Sequence, residues 1–189
     1  MLKTFCSAVL MGFFFLTASL AQAQTYNIDK SASTLAFKGE HAGNVFEGTF
    51  ESWDAEIVFD PATPEQGHIA ARINLGTAKT GNKMYDGTLP EADWFDVKNH
   101  PLATFVSTEI HSTTAEGDYQ VAGDLTIRGV TKPVRFTFTL DNPEANDVRA
   151  TAELPIKRSD FQIGMKSDPD AEWVGETVHV IMDVHAQRQ

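Results

Sequence analysis

Apolar side chains recur at every second position over long stretches of this chain. In residues 123–140, GDLTIRGVTKPVRFTFTL, Leu125 and Ile127 alternate with polar neighbours, and Phe136 and Phe138 continue the spacing in the second half. A period of two places alternate side chains on opposite faces of an extended strand, so each such stretch has one apolar face and one polar face. Segments of this kind, separated by Gly, Asn, Asp and Pro, predict eight or nine strands.

The spacing of these strands favours an antiparallel barrel or sandwich, and a closed barrel has the advantage of leaving no exposed edge strand. A change of phase near Glu51 and Ser52 predicts a bulge or a sharp bend between two strands. The alternation stops over residues 79–101, where helical spacing is mixed with turn residues. This interval predicts one or two short helices in an otherwise all-β domain.

The first 23 residues have the pattern of a secretory signal peptide: Lys3, an uninterrupted apolar stretch, and the small-residue sequence AQA at 21–23. The apolar stretch is short for a membrane span, which needs about 20 residues. We therefore expect cleavage before Gln24, a single domain over residues 24–189, and a periplasmic location. The only cysteine, Cys6, lies in this leader, so the domain has no disulfide and no thiolate nucleophile.

Patterns that carry chemistry are scarce in the remaining sequence. There is no G-x-S-x-G nucleophile motif, and His179 and His185 are about 20 Å apart along an extended strand, too far to share one metal ion. Asp168 and Asp170 are interpreted as parts of a solvated loop. The net charge of −11 disfavours nucleic acid as a partner. We therefore predict no catalytic residue and no metal site.

The inward positions of the predicted strands include many small side chains. A barrel of eight strands is just wide enough either to be filled by side chains or to hold one slender ligand. Small residues leave space inside it, whereas the large aromatic residues of the same faces take space back, so the pattern leaves both a packed core and a ligand cavity open. The small inward residues are Gly48, Ala55, Ala71, Ala103, Gly123, Ala150 and Ala152.

Two positions of inward parity carry charge. In residues 157–164, KRSDFQIG, Arg158 and Asp160 share the parity of the apolar residues that precede them. A charged pair facing a barrel interior must find hydrogen-bonding partners. Two interpretations stay open: the strand ends here and the pair lies at the barrel rim, or the pair forms a polar cap at a cavity mouth.

Four blocks of sequence, in order, resemble the YceI-like family. They are GNVFEGTFESWDAEIVFDP (43–61), LPEADWFDVKNHPLATFVSTEI (89–110), VAGDLTIRGVTKPVRFTFTL (121–140) and RSDFQIG (158–164). The resemblance implies an eight-stranded antiparallel lipocalin-like barrel that binds a polyisoprenoid lipid in the periplasm, by binding or transport and not by catalysis. It implies no cofactor other than a bound isoprenoid lipid or quinone.

The resemblance also implies which residues meet the ligand. A long isoprenoid tail would lie along the inward apolar side chains, three of which, Leu89, Trp94 and Phe95, would close one end. The remaining candidates are Phe37, Phe46, Phe50, Ile57, Ile73, Phe105, Leu125, Phe136, Phe138 and Met182, with Arg158 and Asp160 as polar residues of the cavity mouth.

Two other functions stay open at this point. The EADWFD and EWV segments are similar to family members found beside cytochrome b561-type membrane proteins, which favours a non-catalytic partner module for such a cytochrome. An enzyme acting on an isoprenoid lipid through Arg158 and Asp160 is the less favoured alternative. A homodimer, joined edge to edge or mouth to mouth, is compatible with any of these functions.

Overall fold

A computed structural model describes residues 24–142 and 145–189, and within these ranges the chain forms eleven β-strands and one α-helix. The strands are β1 (Gln24–Ile28), β2 (Thr34–His41), β3 (Asn44–Phe50), β4 (Trp53–Phe59), β5 (His68–Asn74), β6 (Ala78–Lys79), β7 (Leu102–Ser112), β8 (Asp118–Ile127), β9 (Val130–Asp141), β10 (Asp147–Lys157) and β11 (Thr177–Arg188). The helix α1 is Lys83–Thr88, and short 3₁₀ helices cover Pro64–Gln66, Leu75–Thr77 and Arg158–Phe161. The predicted signal peptide lies outside the described residues.

Eight of the strands form a closed antiparallel barrel, which confirms the predicted fold class. Their order around the ring is β1-β4-β5-β7-β8-β9-β10-β11, and β1 pairs with β11 to complete it. The long strand β11 also pairs with β2 through residues 179–183, and β2 leads on to β3 and then to β6. The short strands β1 and β6 were not predicted, because neither is long enough to show a period of two.

The predicted change of phase at Glu51 and Ser52 is confirmed as a corner between β3 and β4. The Glu51 N–H donates to the Thr77 carbonyl at 3.2 Å, and the Asn74 N–H donates to the Ser52 carbonyl at 2.9 Å. The corner is therefore held by the last residue of β5 and by Thr77 after it, and not by pairing of β3 with β4. The interval after β6 contains one α-helix, α1, followed by turns. No helix in the described ranges is long and apolar enough to cross a membrane.

Aromatic packing fills one end of the barrel. The rings of Phe59 and Tyr119 meet edge to face with centroids 4.9 Å apart, and Phe138 lies 5.6 Å from Phe59 and 5.3 Å from Tyr119. All three residues are buried. Such arrangements are favourable beyond the apolar area that they bury, so this end of the barrel is a solid core.

The two inward glycines do not leave empty space, which corrects the prediction that they would. A Cβ at Gly48 would lie 2.3 Å from the Phe37 ring, and a Cβ at Gly123 would lie 2.6 Å from the Phe105 ring. Each glycine therefore lets an aromatic ring from the neighbouring strand lie close against the backbone. The inward alanines, in contrast, border free space inside the barrel.

Substitution of Gly48 by Ala is expected to lower the free energy of unfolding by about 2 kcal/mol, because the new methyl group would overlap the Phe37 ring. The added Cβ would also lie 2.8 Å from the Lys79 carbonyl oxygen, a backbone atom that cannot easily move. The matched control is Gly87→Ala, where no atom lies within 4 Å and where alanine favours the helix. Urea denaturation of both variants measures the difference, and equal stabilities would contradict the packing argument.

Candidate functional site

A cavity lies inside the barrel and its accessible wall is formed by apolar atoms only. Its volume is about 240 Å³. Every apolar side chain predicted at the site lines it, although contact with a ligand stays a prediction for each of them. These are Phe37, Phe46, Phe50, Ile57, Ile73, Leu89, Trp94, Phe95, Phe105, Leu125, Phe136, Phe138 and Met182.

Further lining residues fall into two groups. The first group lies on the strands and consists of the inward alanines, Trp53 and Val180. The period of two predicted that these side chains point inward, but it did not predict that they border free space. Ile28, Ile163 and Val174 also line the cavity. Ile163 and Val174 lie in a loop and Ile28 in a short strand, so no periodic pattern could have identified them.

The segment after β6 packs against β3 and forms part of the cavity wall. The Phe95 ring lies 6.2 Å from the Phe50 ring, and the Tyr85 ring lies 5.8 Å from the Phe46 ring. The Tyr85 hydroxyl hydrogen-bonds with His41 Nδ1 at 3.0 Å, at the end of β2. Aromatic contacts and one polar contact therefore hold this segment over the open side of β3.

The loop between β10 and β11 also covers the cavity, and hydrogen bonds join it to the segment after β6. These two segments are the cover elements of the barrel. The Gly164 N–H donates to the Asp93 carbonyl at 2.7 Å, and the Asp93 carboxylate accepts from the N–H groups of Lys166 and Ser167 at 3.0 and 2.8 Å. Gly164 has a φ of 72° and lies beside the ring of Trp94, which a Cβ would approach to 3.3 Å. The two cover elements therefore form one connected cap.

The loop between β10 and β11 is organised around the buried guanidinium of Arg158. Its Nε–H donates to the Val174 carbonyl at 3.2 Å, Nη1 donates to the Ile163 carbonyl at 2.8 Å, and Nη2 donates to the Asp168 carbonyl at 2.6 Å. Nη2 also forms an ion pair with the Asp168 carboxylate at 2.9 Å. The side chain is 1% exposed. Arg158 therefore lines the cavity through its apolar stem while its charge points into the loop.

The Asp168 carboxylate is the partner that makes burial of this charge possible. It accepts hydrogen bonds from the N–H groups of Glu172 at 2.9 Å, Trp173 at 3.2 Å and Val174 at 2.8 Å. Burial opposes ionisation of this group, but the three N–H donors and the Arg158 guanidinium outweigh it, and they hold the pKa of Asp168 below its ordinary value.

Two predictions about charged residues are therefore wrong. Asp168 is buried and paired, whereas Asp170 alone is solvated as predicted. Asp160 is exposed and does not line the cavity, so it does not form a polar mouth with Arg158. The reason is that β10 ends at Lys157 and a 3₁₀ helix begins at Arg158, so the parity of a strand no longer decides which side chain points inward.

The histidines of β11 lie on the outer face of the barrel beside acidic side chains. His179 Nδ1 is 2.6 Å from Glu153, and His185 Nε2 is 3.6 Å from Asp183. Within the described part of the chain, no three His, Cys, Asp or Glu side chains are grouped so that they could hold a metal ion.

A closed antiparallel barrel around an apolar cavity defines a lipocalin-like class of protein. The family model described as "YceI-like domain" matches residues 26–186, and the chain belongs to the YceI family. A UPF0312 protein of Ectopseudomonas mendocina (strain ymp) is 34% identical over 198 residues, covering 100% of each chain. A UPF0312 protein of Pseudomonas putida (strain W619) is 38% identical over 150 residues, covering 78% of this chain and 77% of the relative.

Solved structures show the same barrel. The crystal structure of Burkholderia cenocepacia BcnA superposes with a TM-score of 0.80 at 31% identity, covering 84% of this chain and 99% of BcnA. A polyisoprenoid binding domain from Saccharophagus degradans superposes with a TM-score of 0.67 at 18% identity, covering 88% of this chain and 99% of that domain. The second likeness is one of fold alone.

Substitution of Asp168 by Asn is expected to lower the free energy of unfolding at neutral pH by about 3 kcal/mol, because it leaves the Arg158 charge buried without its counter-ion. Since the pKa of Asp168 is lowered from 3.8, ionisation stabilises the fold fully above that value, and this contribution is lost as the pH falls through the lower folded pKa. The loss caused by Asp168→Asn should therefore shrink in acid.

Urea denaturation at about pH 7 and about pH 3 measures this dependence. The matched control is Asp170→Asn, two residues further along the same loop and exposed, which should leave the stability unchanged at both pH values. A variant of Asp168 as stable as the wild type at neutral pH would show that the ion pair does not organise the loop.

Proposed function

We propose that this protein binds an isoprenoid lipid, of polyprenyl or ubiquinone-like type, inside the barrel and carries or sequesters it in the periplasm. The observation that carries the proposal is a cavity wall made of apolar atoms only, inside a closed barrel. The signal-peptide pattern of the first 23 residues supports the location. Cleavage before Gln24 is checked by the intact mass of the purified protein.

The physical chemistry of such a wall favours a long apolar ligand. Burial of each methylene group is worth about 0.8 kcal/mol, so a tail of a few isoprene units binds tightly without a polar anchor. The guanidinium of Arg158 is engaged by loop carbonyls and by Asp168. A polar head group would therefore find no free partner in the wall, and we expect it to lie at an opening of the barrel.

The family supports binding in preference to catalysis. BcnA and the Saccharophagus degradans domain share this barrel, and the latter is named for polyisoprenoid binding. The enzymatic alternative required Arg158 and Asp160 together in the cavity, and the exposed position of Asp160 removes the geometric basis for that pair.

A second candidate function, a partner module for a membrane protein such as a b561-type cytochrome, is favoured by one observation. Val45, Met84 and Trp173 are large apolar residues that are 72%, 61% and 61% exposed. Val45 belongs to the β2–β3 hairpin, and the Ala42 N–H of the same hairpin donates to the Trp173 carbonyl at 2.7 Å. Met84 precedes Tyr85, whose hydroxyl hydrogen-bonds with His41 at the end of β2. If such a module were the function, replacing these three residues by Ser would abolish the partner contact and leave lipid binding intact. In a homodimer joined mouth to mouth, the same apolar residues would form the contact between the two subunits.

The decisive experiment is organic extraction of the purified protein followed by mass spectrometry of the extract. An isoprenoid species in stoichiometric amount would support the proposal and identify the ligand. Added geranylgeraniol and decylubiquinone provide a second route, because Trp53 and Trp94 line the cavity and their fluorescence should respond to a bound ligand. An empty extract together with no response to either compound would overturn the proposal.

Substitution of Ala71 by Phe is expected to weaken geranylgeraniol binding by about 2 kcal/mol, because the ring would occupy the space of two or three ligand methylene groups. Ala71 lies opposite Ala55 across β4 and β5, where both small residues line the cavity. The matched control is Val106→Phe, which adds bulk to an exposed position on β7. Titration by tryptophan fluorescence measures both variants. Equal affinities would mean that the ligand does not occupy this part of the barrel.

A further inference from the structure

The barrel wall contains a seam at which two edges face each other without paired strands. A second gap, between β9 and β10 beyond the pairs of 138–141 with 149–152, is covered by the β10–β11 loop, where Arg128 donates to the carbonyls of Gln162 and Ala92. The residues of β4 from Trp53 to Ile57 pair with β5, whereas pairing with β1 is confined to Val58 and Phe59 among the described residues. On the other edge, β2 pairs with β3 only from Ala36 onward. The first part of β2 and the first part of β4 are therefore not joined by a strand ladder.

The seam borders the cavity from both sides. Ile28 at the end of β1 and Leu35 at the start of β2 line the cavity on one edge. Trp53, Ala55 and Ile57 of β4 line it on the other edge. A passage between these two edges would lead directly from the outer surface into the apolar interior.

A single side chain, Lys30, spans the seam from the loop between β1 and β2. Its ammonium donates to the Trp53 carbonyl at 2.9 Å and lies 3.8 Å from the centroid of the Trp53 ring. It also forms an ion pair with Asp54 at 3.1 Å, in which the two side chains are 45% and 80% exposed. The Trp53 carbonyl thus receives from a side chain the hydrogen bond that a neighbouring strand would otherwise supply.

The loop that carries Lys30 is held in place independently of these contacts. The Asp29 N–H donates to the His185 carbonyl at 2.8 Å, and the Asp29 carboxylate accepts from the N–H and the hydroxyl of Ser31 at 2.9 and 2.6 Å. The Ser33 hydroxyl donates to the Asp29 carbonyl at 2.6 Å. The loop can therefore stay anchored to β11 while the Lys30 side chain moves.

We propose that this seam is the entrance through which the lipid reaches the cavity, and that Lys30 is the positioning residue that holds it closed. The inference rests on the function proposed above. Opening the barrel elsewhere would break strand ladders, the aromatic core of Phe59 and Tyr119, or, between β9 and β10, the hydrogen bonds by which Arg128 holds the two cover elements. Opening the seam breaks no strand ladder, and the polar contacts of Lys30 that cross it are an exposed ion pair, one cation–π contact and one hydrogen bond, which are weak singly.

The test separates the rate of ligand exchange from the affinity. The probe is all-trans-retinol, a fluorescent isoprenoid alcohol, released from the protein into an excess of phosphatidylcholine vesicles and followed by stopped-flow fluorescence. Lys30→Met keeps the apolar stem but removes the charge, and it should accelerate both uptake and release by about tenfold. The dissociation constant should not change, because the cavity wall is untouched, and the thermal unfolding temperature should fall by only a few degrees.

Two variants control the experiment. Lys30→Arg keeps the cation and should restore slow exchange. Lys38→Met removes a comparable exposed ion pair, with Glu153 at 3.3 Å, from a residue of β2 that is paired on both sides, and it should exchange at the wild-type rate. If Lys30→Met binds retinol and exchanges it at the same rate as the wild type, the proposed entrance is overturned while the proposed function stands. Failure of the wild type to bind retinol at equilibrium would overturn the proposed function and the entrance with it.

Discussion

The cavity depends on closure of the barrel by its shortest ring strand. β1 joins β4 through two residue pairs and β11 through three, so a few backbone contacts complete a ring of eight strands. The closing strand lies at the end filled by the aromatic rings of Phe59, Tyr119 and Phe138, where Tyr26 is also buried. Packing of these side chains therefore secures the closure that so short a ladder could not secure alone.

Charge is segregated from the cavity by the architecture of the cap. The chain is strongly acidic, yet the cavity wall is apolar, and the one buried guanidinium is turned into a loop whose carbonyls and carboxylate satisfy it. Burial of an ion pair costs desolvation energy and is a poor means of stabilising a core. Here the pair of Arg158 and Asp168 gives a fixed shape to a loop of otherwise irregular backbone, and thereby fixes one part of the cavity wall.

The barrel and its apolar lining were predictable because a period of two is a local property. Each strand residue faces inward or outward according to parity alone, so Phe105 and Met182 could be placed in the interior without knowledge of strand order. Where a strand ends, parity no longer predicts which way a side chain points. Arg158 is buried and Asp160 is exposed because the backbone forms a 3₁₀ helix from Arg158 onward. The pairing of Arg158 with Asp168 joins residues of an irregular loop, and nothing periodic in the sequence indicates it.

A carrier of an insoluble lipid has two requirements that conflict in a uniform barrel. A wall that shields the ligand fully from water gives high affinity, but a wall joined throughout by strand ladders would also make exchange slow, because passage would require several backbone hydrogen bonds to break together. The structure separates these requirements in space. Under the proposed function, the alanines and aromatic rings of the interior determine how much apolar surface a ligand buries, whereas the seam beside Trp53 replaces part of a ladder by the side chain of Lys30. For the proposed lipid carrier we therefore expect affinity and exchange rate to be controlled by different residues, so that each can change in evolution without loss of the other.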